Sequence, residues 1–173
     1  MAHGMAKVLE PPAKPRDKVV AVIGDSTFFH TGINSLMDVA YNKSNMLALI
    51  LDNRTTAMTG GQENPGSGKT LLREPAAIAD IPGLCRDMGL ERVTTIDPYD
   101  LEEVERVLRE ELAHEGPSVV IAKAPCVLQF KIKREPYHID PELCTGCKRC
   151  LQAGCMALNL LVDADGGRKV EIQ

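Results

Sequence analysis

Short apolar runs alternate with amphipathic stretches along the first 124 residues of the chain. Runs typical of strands buried in a parallel sheet occur at residues 18–23, 46–51, 92–96 and 118–122. Apolar residues at helical spacing, or short helical stretches, occur at 1–9, 31–41, 74–88 and 100–114. The alternation of strands and helices predicts an α/β domain with a mostly parallel sheet and helices on both faces.

The clearest helix covers residues 100–114. Its apolar stripe consists of Leu101, Val104, Val107, Leu108 and Leu112. The stretch 74–88 predicts one or two short helices that are interrupted at Pro82-Gly83.

Acidic and amide side chains follow the first two predicted strands. Gly24-Asp25-Ser26 comes directly after the first strand, and Asp52-Asn53 comes after the second. Ligands bind open α/β sheets at the carboxyl ends of their strands. Asp25 and Asn53 carry the hard oxygen ligands that could hold Mg²⁺ against a diphosphate. The amino end of the helix at 31–41 favours an anion beside Asp25.

A long polar loop covers residues 52–73 and contains Gly60, Gly61, Gly66 and Gly68. Loops of this length in a compact domain are usually functional or mobile. Residues 66–70 resemble the end of a phosphate-binding P-loop, but Glu63 stands where that motif requires its first glycine, and no strand directly precedes it. The sequence therefore argues against nucleotide hydrolysis at this loop.

A cysteine cluster occupies the last part of the chain. Cys144, Cys147 and Cys150 are spaced as in bacterial ferredoxins, and Cys155 follows. This spacing favours a [4Fe–4S] cluster over zinc, because zinc sites usually pair two separate Cys-x-x-Cys turns. Four residues separate Cys150 from Cys155 instead of three, and Met156 replaces the usual proline. Cys155 either closes a single cluster or leaves that cluster in need of a ligand from another chain.

Composition limits the remaining function classes. The 173 residues carry a net charge of −4, which argues against nucleic-acid binding as the main function. No apolar run is long enough to cross a membrane, and there is no secretory signal. With no secretory signal, the clustered cysteines indicate metal or cluster ligands in a reducing, cytoplasmic compartment.

Gly24-Asp25-Ser26 and the later Asp52-Asn53 resemble the thiamine diphosphate motif. Together with Thr59-Gly60-Gly61-Gln62 and the cysteine cluster, the sequence resembles the large (alpha) subunits of indolepyruvate ferredoxin oxidoreductases. These belong to the 2-oxoacid:ferredoxin oxidoreductases. The resemblance covers nearly the whole chain.

The resemblance implies the cofactors thiamine diphosphate, Mg²⁺ and a [4Fe–4S] cluster, with coenzyme A as co-substrate. The Mg²⁺ ligands would be Asp25, the side chain of Asn53 and the backbone carbonyl of Thr55. The residues against the diphosphate would be Gly24, Ser26, Thr59, Gly60 and Gly61. The implied reaction is the oxidative decarboxylation of aryl 2-oxoacids to acyl-CoA, with electrons leaving through the cluster to ferredoxin.

The resemblance also implies a domain organisation. Residues 1–124 would be the C-terminal portion of a thiamine diphosphate-binding domain, beginning in mid-domain. Residues 125–136 would be an extended basic linker, and 137–173 a ferredoxin-type module that ends before the family's usual second cysteine run. Catalysis would then require a beta subunit and a pyrimidine-binding part, so the chain alone would be inactive.

The other candidate residues carry weaker signals. No catalytic residue is assigned, although His30 could reach the cofactor or the substrate. Arg54 and Gln62 flank the diphosphate loop. Cys85 is expected in the core, and Cys126 has no assigned role. His114 and His138 are expected at the surface.

Three alternatives remain open at this stage. The chain could belong to a pyruvate or 2-oxoglutarate oxidoreductase with the same fold. It could be a non-catalytic electron-transfer or assembly module in which the α/β part is vestigial. It could also be a zinc-binding interaction module.

Overall fold

The structure is a computed structural model that describes residues 1–9, 18–130, 137–162 and 166–172. The chain divides into two compact units, Met1–Lys131 and Ile132–Gln173. The strands of the first unit are β1 (Val19–Gly24), β2 (Met46–Asp52), β3 (Val93–Ile96) and β4 (Ser118–Lys123). Its helices are α1 (Ala2–Val8), α2 (Asp25–Thr27), α3 (Ile33–Tyr41), α4 (Ile81–Asp87), α5 (Leu101–Ala113) and α6 (Val127–Phe130).

The four strands form one sheet in the order β1-β2-β4-β3, and every neighbouring pair is parallel. Val19 pairs with Met46 and Gly24 with Leu51, so β1 and β2 end side by side. The predicted α/β domain with a mostly parallel sheet is confirmed. Since β1 and β2 are neighbours, the residues that follow them lie at the same edge of the sheet.

One face of the sheet packs against α1, α3 and α4. Phe28, Ile50 and Ile121 are fully buried there. Cys85 on α4 is also fully buried in this core, which confirms its prediction as a core residue. Burial raises the pKa of the Cys85 thiol to about 11, so the side chain is a neutral apolar group near pH 7.

The other face packs against α5, where Val107 contacts a core that includes Leu47 and Val120. The predicted stripe of α5 is partly wrong, since Leu101 and Leu112 are exposed while Glu111 is buried. The prediction of a fully buried first strand is also wrong. The second core contains residues of β2, β3 and β4 but none of the edge strand β1, which leaves Val20 and Val22 exposed.

A charged cluster at the carboxyl end of α5 explains the burial of Glu111. The Arg92 guanidinium donates to both carboxylate oxygens, with Nε–Oε2 and Nη2–Oε1 distances of 2.9 and 2.6 Å. Lys18 Nζ donates to the backbone oxygens of Glu111 and His114 and to Ser118 Oγ. Burial opposes ionisation of Glu111, but Arg92 and the other donors hold its pKa below the usual value. His114, expected at the surface, is half-buried beside this cluster.

The Arg92–Glu111 pair gives a stability prediction. Arg92→Ala should lower the free energy of unfolding by about 2 kcal/mol, because it leaves a buried carboxylate without its main partner. Arg106→Ala is the matched control, since Arg106 pairs with the exposed Glu110 at 3.0 Å. This substitution should lower the free energy of unfolding by less than about 0.5 kcal/mol. Urea unfolding measures both, and equal losses would contradict this account.

The second helix begins earlier than the sequence predicts. It starts at Asp25 as α2, passes through a π-helical turn at Phe28–Gly32 and continues as α3. The Ile33 N–H donates a hydrogen bond to the carbonyl of Phe28 across this wider turn. The turn interrupts the regular spacing of apolar residues, which is why the pattern places the start at residue 31. Asp25 therefore lies inside the first helical turn.

Two other predicted segments differ from the structure. Within 74–88 only α4 is helical, and Pro82 lies in its first turn instead of interrupting it, because that position needs no backbone N–H. The predicted extended linker at 125–136 contains α6 at Val127–Phe130. Residues 131–136 lie outside the described residues.

The second unit contains an antiparallel pair, β5 (Leu158–Val162) and β6 (Arg168–Ile172), and a 3₁₀ turn at Arg149–Ala153. No helix in the described part of either unit has the length and apolar content needed to cross a bilayer.

Candidate functional site

The edge where β1 and β2 end carries two buried carboxylates. Asp25 is 2% exposed and Asp52 is 7% exposed. Asp25 Oδ1 accepts the N–H of Ser26 at 2.8 Å, and Oδ2 accepts the amide of Asn64 at 3.1 Å. Burial raises the pKa of Asp25, and the negative charge of Asp52 raises it further, although the Asn64 and Ser26 bonds oppose this. A cation bound between these strand ends would remove much of that electrostatic cost.

The turn after β2 is held by its own side chains. Asp52 Oδ1 accepts the N–H of Arg54 at 3.2 Å, and Asn53 Oδ1 accepts the N–H of Thr55 at 3.1 Å. Arg54 has a left-handed backbone with φ of 59°. Thr56 Oγ1 donates to Ser26 Oγ at 3.0 Å, so this turn also contacts the start of α2.

The glycine turn predicted to hold a diphosphate closes on itself. Thr56 bridges to Gln62, and the N–H of Gly61 donates to the Thr56 carbonyl at 3.1 Å. Gln62 and Thr59 exchange hydrogen bonds through their side chains and the Thr59 carbonyl. Gly60 and Gly61 have φ of 122° and 77°, which other residues rarely adopt.

A cavity of about 360 Å³ opens beside this turn. Its lining consists of Thr55, Ala57, Gly60, Gly61, Arg73, Cys126, Leu128 and Gln129. Sequence reasoning missed Arg73 and Gln129 and gave Cys126 no role. No local pattern identifies them, because they come from two separate segments that meet only in the folded chain.

The predicted site residues fall into two groups. In the first group Gly24 ends β1, Asp25 and Ser26 begin α2, and Asn53 and Thr55 lie in the adjoining turn that follows β2. His30 and Thr59 are exposed, His30 on the π turn and Thr59 at the glycine turn. Asn64 was not predicted, yet it contacts Asp25 directly.

The donor set at this edge fits Mg²⁺. Asp25 and Asp52 offer carboxylate oxygens and Asn53 an amide oxygen, which are the ligands that this hard cation prefers. None of the ion pairs within the described ranges involves Asp25 or Asp52. A Cβ added at Gly24 would meet nothing within 4 Å, so a phosphate group could approach the backbone there.

The four clustered cysteines lie in the second unit. Cys144 is half-buried, and Cys147, Cys150 and Cys155 are exposed. Searching only the described residues finds no group of three or more cysteine, histidine or acidic side chains placed to hold a metal ion. Hydrogen bonds from the Arg149 N–H and the Thr145 hydroxyl lower the pKa of the Cys147 thiol. The chemistry of this donor set fits iron, but the structure does not gather the thiols into a closed site.

Two glycines in this segment give a matched pair of variants. Gly146 and Gly154 have similar left-handed backbones, with φ of 65° and 67°. A Cβ at Gly146 would collide with the Arg168 carbonyl oxygen, whereas one at Gly154 would meet nothing within 4 Å. We expect Gly154→Ala to lower the free energy of unfolding of this segment by about 1 kcal/mol. Gly146→Ala should lower it by at least roughly 2 kcal/mol more. Hydrogen exchange of residues 137–172 measures this, and equal protection in both variants would contradict it.

Comparison with known proteins gives a consistent picture. The model of the thiamine pyrophosphate enzymes, C-terminal TPP-binding domain, matches residues 1–122. An indolepyruvate oxidoreductase subunit from Pyrococcus horikoshii is 40% identical over 174 residues, which covers 91% of this chain and 27% of that protein. The corresponding protein of Archaeoglobus fulgidus is 36% identical over 165 residues, covering 91% of this chain and 25% of that protein. These matches confirm the resemblance found in the sequence motifs.

The chain spans about a quarter of the length of these curated relatives. Among solved structures, a 2-oxoglutarate:ferredoxin oxidoreductase from Magnetococcus marinus has a similar fold, with a TM-score of 0.58 and 19% identity. That match covers 80% of this chain and 54% of the other.

Proposed function

Because this chain belongs to the thiamine pyrophosphate enzymes, as their C-terminal TPP-binding domain, we propose that its first unit binds thiamine diphosphate through Mg²⁺. The observation that carries the proposal is the buried Asp25 carboxylate, which lies at the end of β1 and interacts with a second buried carboxylate, Asp52. Such a pair is costly to bury without a cation. The edge of a parallel sheet beyond its strands is also where such folds bind ligands.

In this proposal Asp25, the Asn53 side chain and the Thr55 backbone carbonyl hold Mg²⁺. Gly24, Ser26, Thr59, Gly60 and Gly61 lie against the diphosphate. Thiamine diphosphate, when bound, supplies the electron sink for decarboxylation of a 2-oxoacid. The residues of this chain bind and orient the diphosphate end, and the neighbouring cavity of about 360 Å³ offers Arg73 and Gln129 as polar contacts.

The whole enzyme is proposed to be an indolepyruvate:ferredoxin oxidoreductase, of which this chain forms part of the alpha subunit. Aryl 2-oxoacids would be oxidatively decarboxylated, with coenzyme A taking the acyl group and ferredoxin taking the electrons. The identity of 36–40% to the curated indolepyruvate oxidoreductase subunits supports this assignment. A beta subunit and a pyrimidine-binding part would complete the enzyme, so this chain alone would not turn over. A reducing cytoplasm would suit its free cysteines.

The second unit is proposed to carry the electrons on a [4Fe–4S] cluster held by Cys144, Cys147, Cys150 and Cys155. The spacing of these cysteines and the hydrogen bonds to the Cys147 sulfur support this role. Binding would have to draw the thiolates closer together than they lie in the structure. The domains of this proposal are residues 1–124, a linker at 125–136 and the cluster module at 137–173.

The test is reconstitution with the remaining alpha-subunit sequence and the beta subunit under anaerobic conditions. We expect indolepyruvate- and coenzyme A-dependent reduction of ferredoxin that requires Mg²⁺ and thiamine diphosphate. Pyruvate and 2-oxoglutarate serve as competing substrates, and a preference for either would reassign the substrate. Failure of the assembled protein to bind thiamine diphosphate would contradict the proposal and favour a purely electron-transferring module.

A further inference from the structure

We propose that Asn64 is a positioning residue that orients the Asp25 carboxylate for a divalent cation. The inference rests on the proposed magnesium site and concerns a residue outside the ligand set given above. Asn64 is 6% exposed and Asp25 is 2% exposed, so neither side chain has free access to water. The 3.1 Å bond between them joins residues 39 positions apart in the chain.

The orientation of the Asn64 amide is fixed from both ends. Its Oδ1 accepts the N–H of Gly66 at 2.9 Å, so its nitrogen must face Asp25. The Asn64 backbone carbonyl accepts the N–H of Ser67 at 2.9 Å and the Ser67 hydroxyl at 2.8 Å. The donor that reaches Asp25 is therefore held in place by the loop and cannot turn away without breaking the Gly66 bond.

The same segment packs against the helix that carries Asp25. A Cβ at Gly66 would lie 3.1 Å from the Phe29 ring, which is closer than most real contacts. A side chain at this position would have to displace the Phe29 ring by a few tenths of an ångström, so the glycine favours the close approach of the loop to the π turn. The position of Asn64 relative to Asp25 is thus set by packing as well as by hydrogen bonds.

A neutral donor at this position has a specific chemical consequence. A lysine or arginine would neutralise Asp25 and compete with a cation, whereas an amide fixes the carboxylate and leaves its charge uncompensated. Each carboxylate oxygen can accept more than one bond, so Ser26 on Oδ1 and Asn64 on Oδ2 still leave lone pairs for a metal. Partners of this kind typically change metal affinity by roughly 10- to 100-fold.

Asn64 also connects two parts of the proposed site. It lies two residues after Gln62, which closes the glycine turn by its bridge to Thr56. The metal ligand and the diphosphate turn are therefore tied through one short segment. A shift of Asn64 should change the metal requirement for cofactor binding, whereas a residue that only stabilises the fold should not.

The test uses the assembled enzyme with Mn²⁺ as the spectroscopic probe and Mg²⁺ for titration, both with thiamine diphosphate. Asn64→Ala and the volume-matched Asn64→Leu should each raise the half-saturating Mg²⁺ concentration roughly 10- to 100-fold. They should also alter the EPR line shape of bound Mn²⁺. The control is Ser67→Ala, which removes only the hydroxyl bond to the Asn64 carbonyl, leaves the Ser67 and Gly66 N–H bonds to Asn64 in place, and should leave both readouts unchanged.

The outcomes separate the two proposals. Wild-type enzyme that binds neither Mn²⁺ nor the cofactor would overturn the proposed function and this inference together. Wild-type binding with unchanged Mg²⁺ titration in both Asn64 variants would overturn only the role of Asn64. An equal loss in Ser67→Ala would also overturn it, because general loosening of the loop would then explain the effect.

Discussion

Asp25→Ala in the assembled enzyme is expected to abolish Mg²⁺-dependent binding of thiamine diphosphate, with affinity falling at least about 100-fold, or roughly 3 kcal/mol. The reason is that Asp25 provides the buried carboxylate at the end of β1, next to the turn of Asn53 and Thr55. Calorimetric titration of the cofactor at fixed Mg²⁺ measures the loss. The matched control is Asp38→Ala, which removes an exposed aspartate from the same continuous helix.

Removing the Asp25 charge should weaken cofactor binding, but in the cofactor-free protein it should increase the stability of the fold. Burial raises the pKa of Asp25 above its unfolded value, so its ionised form destabilises the folded chain near pH 7. Asp25→Asn should therefore raise the free energy of unfolding by about 1 kcal/mol at pH 7. The wild-type carboxyl takes up its proton as the pH falls through the raised folded value. The gain should disappear as the pH approaches the unfolded aspartate pKa of about 3.9.

Unchanged cofactor binding in Asp25→Ala would reject the metal assignment outright. A stability gain in Asp25→Asn that persists at low pH would instead show that the charge of Asp25 is not the cause. The two measurements together distinguish a site built for a cation from an aspartate that serves only the fold.

Cys150→Ser is expected to reduce the iron content of anaerobically purified protein from about four atoms per chain to near zero. Cys150 is the last of the three cysteines at regular spacing, and losing it should remove a ligand that no nearby cysteine replaces. Iron and acid-labile sulfide analysis measures the content, and the EPR spectrum of the reduced protein identifies the cluster. Cys126→Ser is the control, because Cys126 lies at the end of the first unit, outside the cysteine cluster.

Cys155→Ser answers a separate question about the same cluster. Loss of iron comparable to Cys150→Ser would show that Cys155 is the fourth ligand. Full iron content would show that the fourth ligand comes from elsewhere. Zinc in place of iron in the wild-type chain would contradict the electron-transfer role and leave an interaction module as the better hypothesis.

Much of the first unit follows from the sequence because its strands are continuous apolar runs. Residues 46–51 and 118–122 are central strands with helices on both faces, so their composition alone identifies them. The edge strand β1 has a similar composition, but its position is set by the order of the sheet, which no local pattern records. The exposure of Val20 and Val22 was therefore not predictable from the run itself.

In the candidate site, too, some residues could be predicted from the local sequence and others only from the folded chain. Asp25 and Asn53 could be identified because each directly follows a strand, and parallel strands end at the same edge. Asn64 and Arg73 could not, since each comes from a loop whose path depends on distant contacts such as Gly66 against Phe29. Glu111 lies outside the predicted apolar stripe of α5, and its burial was not predictable because the spacing of apolar residues cannot reveal that Arg92 and Ser118 would pair with it.

The π turn at Phe28–Gly32 has a consequence for how this protein tolerates changes in length. A π turn is an α-helix that has absorbed one additional residue, while the helix on either side keeps its phase. Deleting one exposed residue of this turn, such as Thr31, should restore a regular helix and still leave Asp25 at the edge of the sheet and Leu36 in the core. The same deletion in α5 would rotate every later residue by about 100° and turn Glu111 out of its cluster. A one-residue gap between relatives is therefore tolerated at the π turn between α2 and α3 and disruptive in α5.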